Sequence, residues 1–124
     1  MGDAHIRLGK RGELAARVFY EMRGAEILER NWRCPFGEVD LIVLEDGCLV
    51  FCEVKTRNSL SAGLAEEQVT EKRQQRYVRS AQLYAESCAH VYESIRFDVI
   101  AIYPRSETAG DLRFIPHAFG DALR

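Results

Sequence analysis

The chain's 124 residues are the length of one ordinary domain and leave no room for a second independent core, while 47% hydrophobic and 29% charged residues exclude a disordered or fibrous class. Seventeen Lys and Arg against nineteen Asp and Glu give a net charge of -2, so bulk charge advertises no polyanionic partner and any nucleic-acid site must be local. No apolar run approaches the roughly 18 residues that span a bilayer, and the charged start lacks the apolar stretch of a secretion signal, so the expectation is a cytoplasmic protein without membrane contact.

Across Gly12 to Arg23, apolar Leu14, Ala15, Val18, Phe19 and Met22 recur at helical spacing and predict an amphipathic helix that Gly24 ends. Ala25 to Asn31 is compatible with a short strand, and Arg33-Cys34-Pro35-Phe36-Gly37 reads as a loop. Val39 to Leu44 and Leu49 to Val54 are β-rich runs around Asp46-Gly47, a pair suited to a hairpin because both positions tolerate positive φ. From Arg57 to Gln68 the small polar composition predicts a loop of the length that often carries function. Thr70 is a candidate N-cap for a second helix, whose apolar stripe is Tyr77, Val78, Ala81, Tyr84, Ala85 and Cys88. Ile95 to Ile102 predicts a strand, and Leu112 to Ile115 a shorter one. The expected fold is a single α/β domain over 1–124, with a mixed central sheet of about five strands flanked by helices. The helix between the third and fourth strands implies a right-handed crossover and one parallel pair. Cys34, Cys48, Cys52 and Cys88 form no CxxC pair and read as reduced, packed thiols rather than zinc ligands.

A tight Asp46-Gly47 turn pairs Glu45 with Cys48 and, counting outward, Asp40 with Glu53 and Glu38 with Lys55. Side chains two apart share a face, so four ionisable groups are expected to cluster. Facing like charges are destabilising unless compensated, and a divalent cation between Asp40 and Glu53 would reverse the sign of their interaction. Mg²⁺ typically takes one or two carboxylates and keeps waters for a phosphate-bearing substrate, and Lys55 beside it suits hydrolysis of a phosphodiester. A plain charge network on a strand surface satisfies the same spacing, which alone does not choose between the two.

Asp40, twelve intervening residues and then Glu53-Val54-Lys55 resemble the D...(D/E)-x-K signature of the PD-(D/E)XK nuclease superfamily. Gly9-Lys10-Arg11-Gly12-Glu13, Phe36-Gly37-Glu38-Val39-Asp40, Glu53-Val54-Lys55-Thr56-Arg57, Val69-Thr70 with Lys72 and Gln75, and Arg96-Phe97-Asp98-Val99 together resemble the YraN family of uncharacterised bacterial proteins over nearly the whole chain. That family is assigned an endonuclease-like fold similar to archaeal Holliday-junction resolvases. The resemblance therefore implies a restriction-endonuclease-like αβββαβ core, catalytic Asp40, Glu53 and Lys55, and Mg²⁺ or Mn²⁺ held by Asp40, Glu53 and Glu13. It also implies structured or branched DNA as partner and, by similarity to resolvases, a homodimer. On its residues alone, Glu13 reads as an acid in a helix's first turn paired with Arg17 at i+4. Val39 replaces the proline common before the aspartate, and no Q-x-x-x-Y element follows on the second helix. That missing element and the net acidic charge keep an alternative open, a non-catalytic nucleic-acid or protein adaptor on the nuclease scaffold.

Lys10 and Arg11 are expected in a glycine-rich turn before a helix, where backbone N–H groups favour a phosphate. Arg57, Lys72, Arg73 and Arg76 are the candidate basic rim of the acidic pocket, while Arg79 reads as a solvated position.

Overall fold

Gly12, Ala16 and Tyr20, one turn apart, are the buried ridge of helix α1 (Gly2–Met22) in the computed structural model, which describes residues 2–57, 69–106 and 109–120. Small side chains let this helix lie close to the sheet, and a Cβ on Gly12 would collide with the Thr56 hydroxyl. That closeness rotates the buried face away from the expected stripe. Ala15 and Phe19 pack at its margin, but Leu14, Val18 and Met22 are exposed. The helix also begins ten residues before Gly12, whose close packing on Thr56 offsets its low helix propensity. Gly24, at φ +86°, ends it as expected, with the Arg23 and Ala25 N–H groups both donating to the Tyr20 carbonyl.

Strands β1 (Glu26–Cys34), β2 (Gly37–Glu45) and β3 (Cys48–Thr56) form an antiparallel meander, α2 (Glu71–Ser87) crosses over, and β4 (Ser94–Pro104) and β5 (Gly110–Phe119) complete the sheet. The strand order is β1-β2-β3-β4-β5, with β3 and β4 parallel and every other pair antiparallel. This is the single-domain α/β architecture with a five-stranded mixed sheet expected from the element order. Asp46 and Gly47 both take positive φ and close the β2–β3 turn in the anticipated register. The first and last strands are longer than expected. The proline-containing loop contracts to a turn at Pro35-Phe36, and the final strand runs through Phe119. Apart from Arg57, the loop expected over 57–68 lies outside the described residues.

The two helices cover opposite sheet faces. Leu41, Val43, Val50, Cys52, Ile100 and Ile102 pack with Ala16 and Tyr20 of α1, whereas Ile42, Leu49, Phe51 and Phe97 pack with Tyr77 and Ala81 of α2. The α2 stripe matches the sequence periodicity, and the Thr70 hydroxyl accepts from the Arg73 N–H as its N-cap. A buried ionic chain joins the layers. Glu45 accepts from Arg23 at 2.8 Å and Arg96 at 3.0 Å, Arg96 also holds Asp98 at 2.8 Å, and the Tyr20 hydroxyl donates to Asp98 at 2.8 Å.

Candidate functional site

The β2–β3 ladder runs from Glu45 opposite Cys48 to Leu41 opposite Cys52 and stops one pair short of Asp40 and Glu53. There the Asp40 side chain takes over from the ladder, its Oδ2 accepting the Val54 N–H at 2.8 Å. The alternation of faces breaks at the same point. Val39 joins Ile42 and Leu49 on the α2 side, although Leu41, two residues on, packs on the α1 side. A carboxylate that replaces a backbone acceptor is fixed in place. Burial pushes the Asp40 carboxyl up to about 6 against the pull of the Val54 N–H, and nearby Glu53 adds to the rise.

Glu53, on β3, is only 2% exposed. Its Oε1 accepts from Arg73 Nε of α2 at 2.5 Å and lies 3.3 Å from Lys55 Nζ. Its Oε2 is buried without a hydrogen-bond partner among the described residues. The flat four-group cluster expected from the register is thus corrected. Asp40 borders a cleft beneath α1, Glu53 is met by Arg73 from α2, and Glu38 pairs with Arg33 of β1 at 3.3 Å. The end of β2–β3 pairing at Leu41 and Cys52 is the reason, because beyond it β2 stays paired with β1 and β3 with β4, so the acids are held by different neighbours.

The α1-side cleft, of about 370 Å³, is lined by Glu13, Asp40 and Asn31 together with the cations Lys10, Arg17 and Arg30. Glu13 comes from the turn of α1 that Gly12 brings against β3. Asn31 lies opposite Asp40 on β1 with φ 51°, a left-handed conformation that Asn tolerates better than most residues. The amide orientation that satisfies its neighbours donates to Glu13 at 2.9 Å and to Glu38 at 3.0 Å. Sequence reasoning missed Asn31, Arg17 and Arg30 as parts of the site. An Asn amid a strand pattern was the available signal for Asn31, while the two arginines carried none.

Several binding assignments change. Lys10 and Arg11 stand within α1 rather than in a turn ahead of it, so the helix-start argument for a phosphate fails at both. Lys10 still lines the cleft, but Arg11 donates to the carbonyls of Ser106 and, at 2.7 Å, Ala109, tying α1 to the β4–β5 connection. Arg73 turns inward to Glu53 rather than outward to a rim. Arg57 is half-buried, with its N–H donating to the Ile102 carbonyl at 2.8 Å and its Nε lacking a partner among the described residues. Lys72 and Arg76 remain on the exposed face of α2, with Arg79 beside them.

The donors suit a hard divalent cation. Glu53 Oε2 is a buried acceptor without a partner among the described residues, Asp40 is an acid whose charged form the Val54 N–H offsets only in part against burial, and both offer oxygen. Among the described residues no group of three His, Cys, Asp or Glu side chains is gathered tightly enough to hold a metal alone. Water or phosphate oxygens would have to complete the shell, a habit of Mg²⁺ rather than of a transition metal in a closed protein cage.

Residues 12–102 match the family model described as "Uncharacterised protein family UPF0102". Curated relatives carry the same designation. The chain is similar to a UPF0102 protein of Caldanaerobacter subterraneus subsp. tengcongensis, 40% identical over 114 residues, covering 90% of this chain and 93% of that one. It is also similar to a UPF0102 protein of Hahella chejuensis, 40% identical over 114 residues with 92% and 90% covered. A third, from Rhodococcus opacus, is 46% identical over 99 residues, with 79% and 83% covered.

Proposed function

Because the chain belongs to the UPF0102 family, the YraN family of the sequence resemblance, whose designation carries no activity, we propose from its own residues that it is a metal-dependent endonuclease-like phosphodiesterase acting on structured or branched DNA. One observation carries this reading. Where the β2–β3 ladder ends, a buried oxygen of Glu53 that has no partner among the described residues neighbours an Asp40 carboxyl pushed up to about 6.

Asp40 and Glu53 would hold Mg²⁺ or Mn²⁺, with Glu13 on the wall of the cleft that Asp40 lines. Such an ion supplies Lewis-acid stabilisation of phosphoryl charge and a more acidic water. The protein's own groups do the rest. Lys55, held by Glu53 at 3.3 Å, places a positive charge where a phosphoryl oxygen gains negative charge, and it can orient a water by donating to it. Asn31 fixes the Glu13 and Glu38 carboxylates through its amide. Lys10, Arg17 and Arg30 line the cleft where a phosphate backbone meets Asp40.

The test is nicking of a branched DNA in Mg²⁺ by purified protein. Asp40→Asn, Glu53→Gln and Lys55→Met are each expected to abolish it while preserving the circular-dichroism spectrum. Equal activity in the three variants would assign the cleavage to a contaminant and remove the proposal.

A second reading, an adaptor that keeps the scaffold without cleaving, is favoured by the two cations that already neutralise Glu53. DNA binding without calorimetric metal binding at millimolar Mg²⁺ or Mn²⁺ would select it.

A further inference from the structure

The β1–β2 turn and the outward face of α2 enclose a groove of about 500 Å³ that the acidic site does not use. Lys72, Arg76 and Arg79 line one wall, Phe36 stands on the other, and no carboxylate is among the described lining residues. None of these three cations has an ion-pair partner among the described residues, in contrast to Arg73, which is committed to Glu53. Glu38 and Glu86 line the adjoining hollows rather than this groove, and cations so grouped favour a polyanion. Their i, i+4, i+7 spacing spans roughly 10 Å of helix, the length of about three phosphates in a stacked strand.

Phe36 adds what a purely electrostatic groove lacks. The residue is 36% exposed at the tip of a two-residue turn, and the Arg79 guanidinium lies over its ring at 5.9 Å from the centroid. An exposed ring beside a guanidinium is a platform on which a nucleobase stacks, and every base has a face that fits. Bases inside a duplex already stack on one another and cannot reach such a platform. The groove also has a direction. A narrower continuation shares Phe36, Gly37 and Arg76 with it and reaches Arg73, the residue that holds Glu53.

We propose that this groove is a single-strand site, in which Phe36 stacks one unpaired base and Lys72, Arg76 and Arg79 hold the flanking phosphates. This rests on the nuclease reading for its polymer and deepens it, because the substrate is then DNA with an unpaired strand beside the scissile position.

The experiment is fluorescence anisotropy with the full chain in EDTA, where metal-dependent cleavage does not interfere, comparing a labelled 12-nucleotide single strand with a blunt 12-base-pair duplex. The single strand is expected to bind more tightly. Phe36→Ala should weaken single-strand binding about tenfold and leave the duplex unchanged, and Phe36→Trp should restore it. The triple variant Lys72→Gln, Arg76→Gln, Arg79→Gln should flatten the salt dependence of binding. Equal affinity for the two DNAs, or no effect of Phe36→Ala, overturns the groove. Nicking of branched DNA that depends on Glu53 but is indifferent to Phe36 would sink the groove and spare the nuclease reading. Phe36-dependent single-strand binding without nicking would do the reverse.

Discussion

The Val54 N–H donates to Asp40 Oδ2 at 2.8 Å where the β2–β3 ladder ends, so an ionisable side chain does the work of a backbone carbonyl. Burial raises the Asp40 carboxyl from 3.8 to about 6, so between these pH values the folded chain binds more protons than the unfolded one. Stability therefore falls as pH rises through this window, and the penalty is complete above pH 6. Asp40→Asn keeps an acceptor for Val54 and escapes the penalty. In EDTA it should be more stable than the parent at pH 7.5, by on the order of 2 kcal/mol. The two should converge near pH 4, as read by urea denaturation.

Arg73 competes with any cation for Glu53. Removing it leaves Lys55 as that carboxylate's one cation among the described residues, and its half-exposed position makes Arg73→Gln tolerable to the fold. Calorimetric titration with Mn²⁺ should show tighter binding by about tenfold in Arg73→Gln, the equivalent of roughly 1.4 kcal/mol. In Glu53→Gln the binding heat should disappear. Unchanged affinity in Arg73→Gln would mean that the ion does not approach Glu53.

Glu45 anchors the buried chain that links α1, the hairpin and β4. Hydrogen bonds from Arg23, and then from Arg96, hold its carboxyl below the usual value of 4.5 against the opposing effect of burial. Its stabilisation is present above pH 4.5 and lost as pH falls through the depressed value. Glu45→Gln should cost about 2–4 kcal/mol at pH 7, because it leaves two guanidinium groups under-compensated. The cost should shrink in acid, as measured by denaturant titrations at pH 7 and pH 3.

Gly12 sets the distance between α1 and the end of β3. Gly12→Ala should destabilise the protein by about 1–3 kcal/mol despite the better helix propensity of alanine, since its Cβ runs into the Thr56 side chain. Thr56→Ala in the same chain should recover part of the loss, and thermal melts of the single and double variants measure the coupling.

The hairpin was legible because Asp46-Gly47 fixes the turn and a turn fixes the register from Glu45 to Leu41. Periodicity likewise located α2 and its buried Tyr77 and Ala81. It misplaced the face of α1, because hydrophobic patterning weighs bulk, and the contact there is made through Gly12 and Ala16. Counting outward from the turn brought Asp40 and Glu53 to one level. It could not reveal that Asp40 would bond to Val54 where the β2–β3 ladder ends, nor that Arg73 would turn inward, because both depend on how strands and helix meet in three dimensions.

The left-handed backbone at Asn31 has a counterpart in β5, where His117 takes φ 51°. β1 and β5 are the two borders of the sheet, and the pairing of each with its neighbour slips register, between Ile27 and Glu29 and between Phe97 and Val99. Bent borders of this kind are poor templates for a further strand. Each border therefore offers an incoming strand a kinked row of backbone donors and acceptors rather than a straight one.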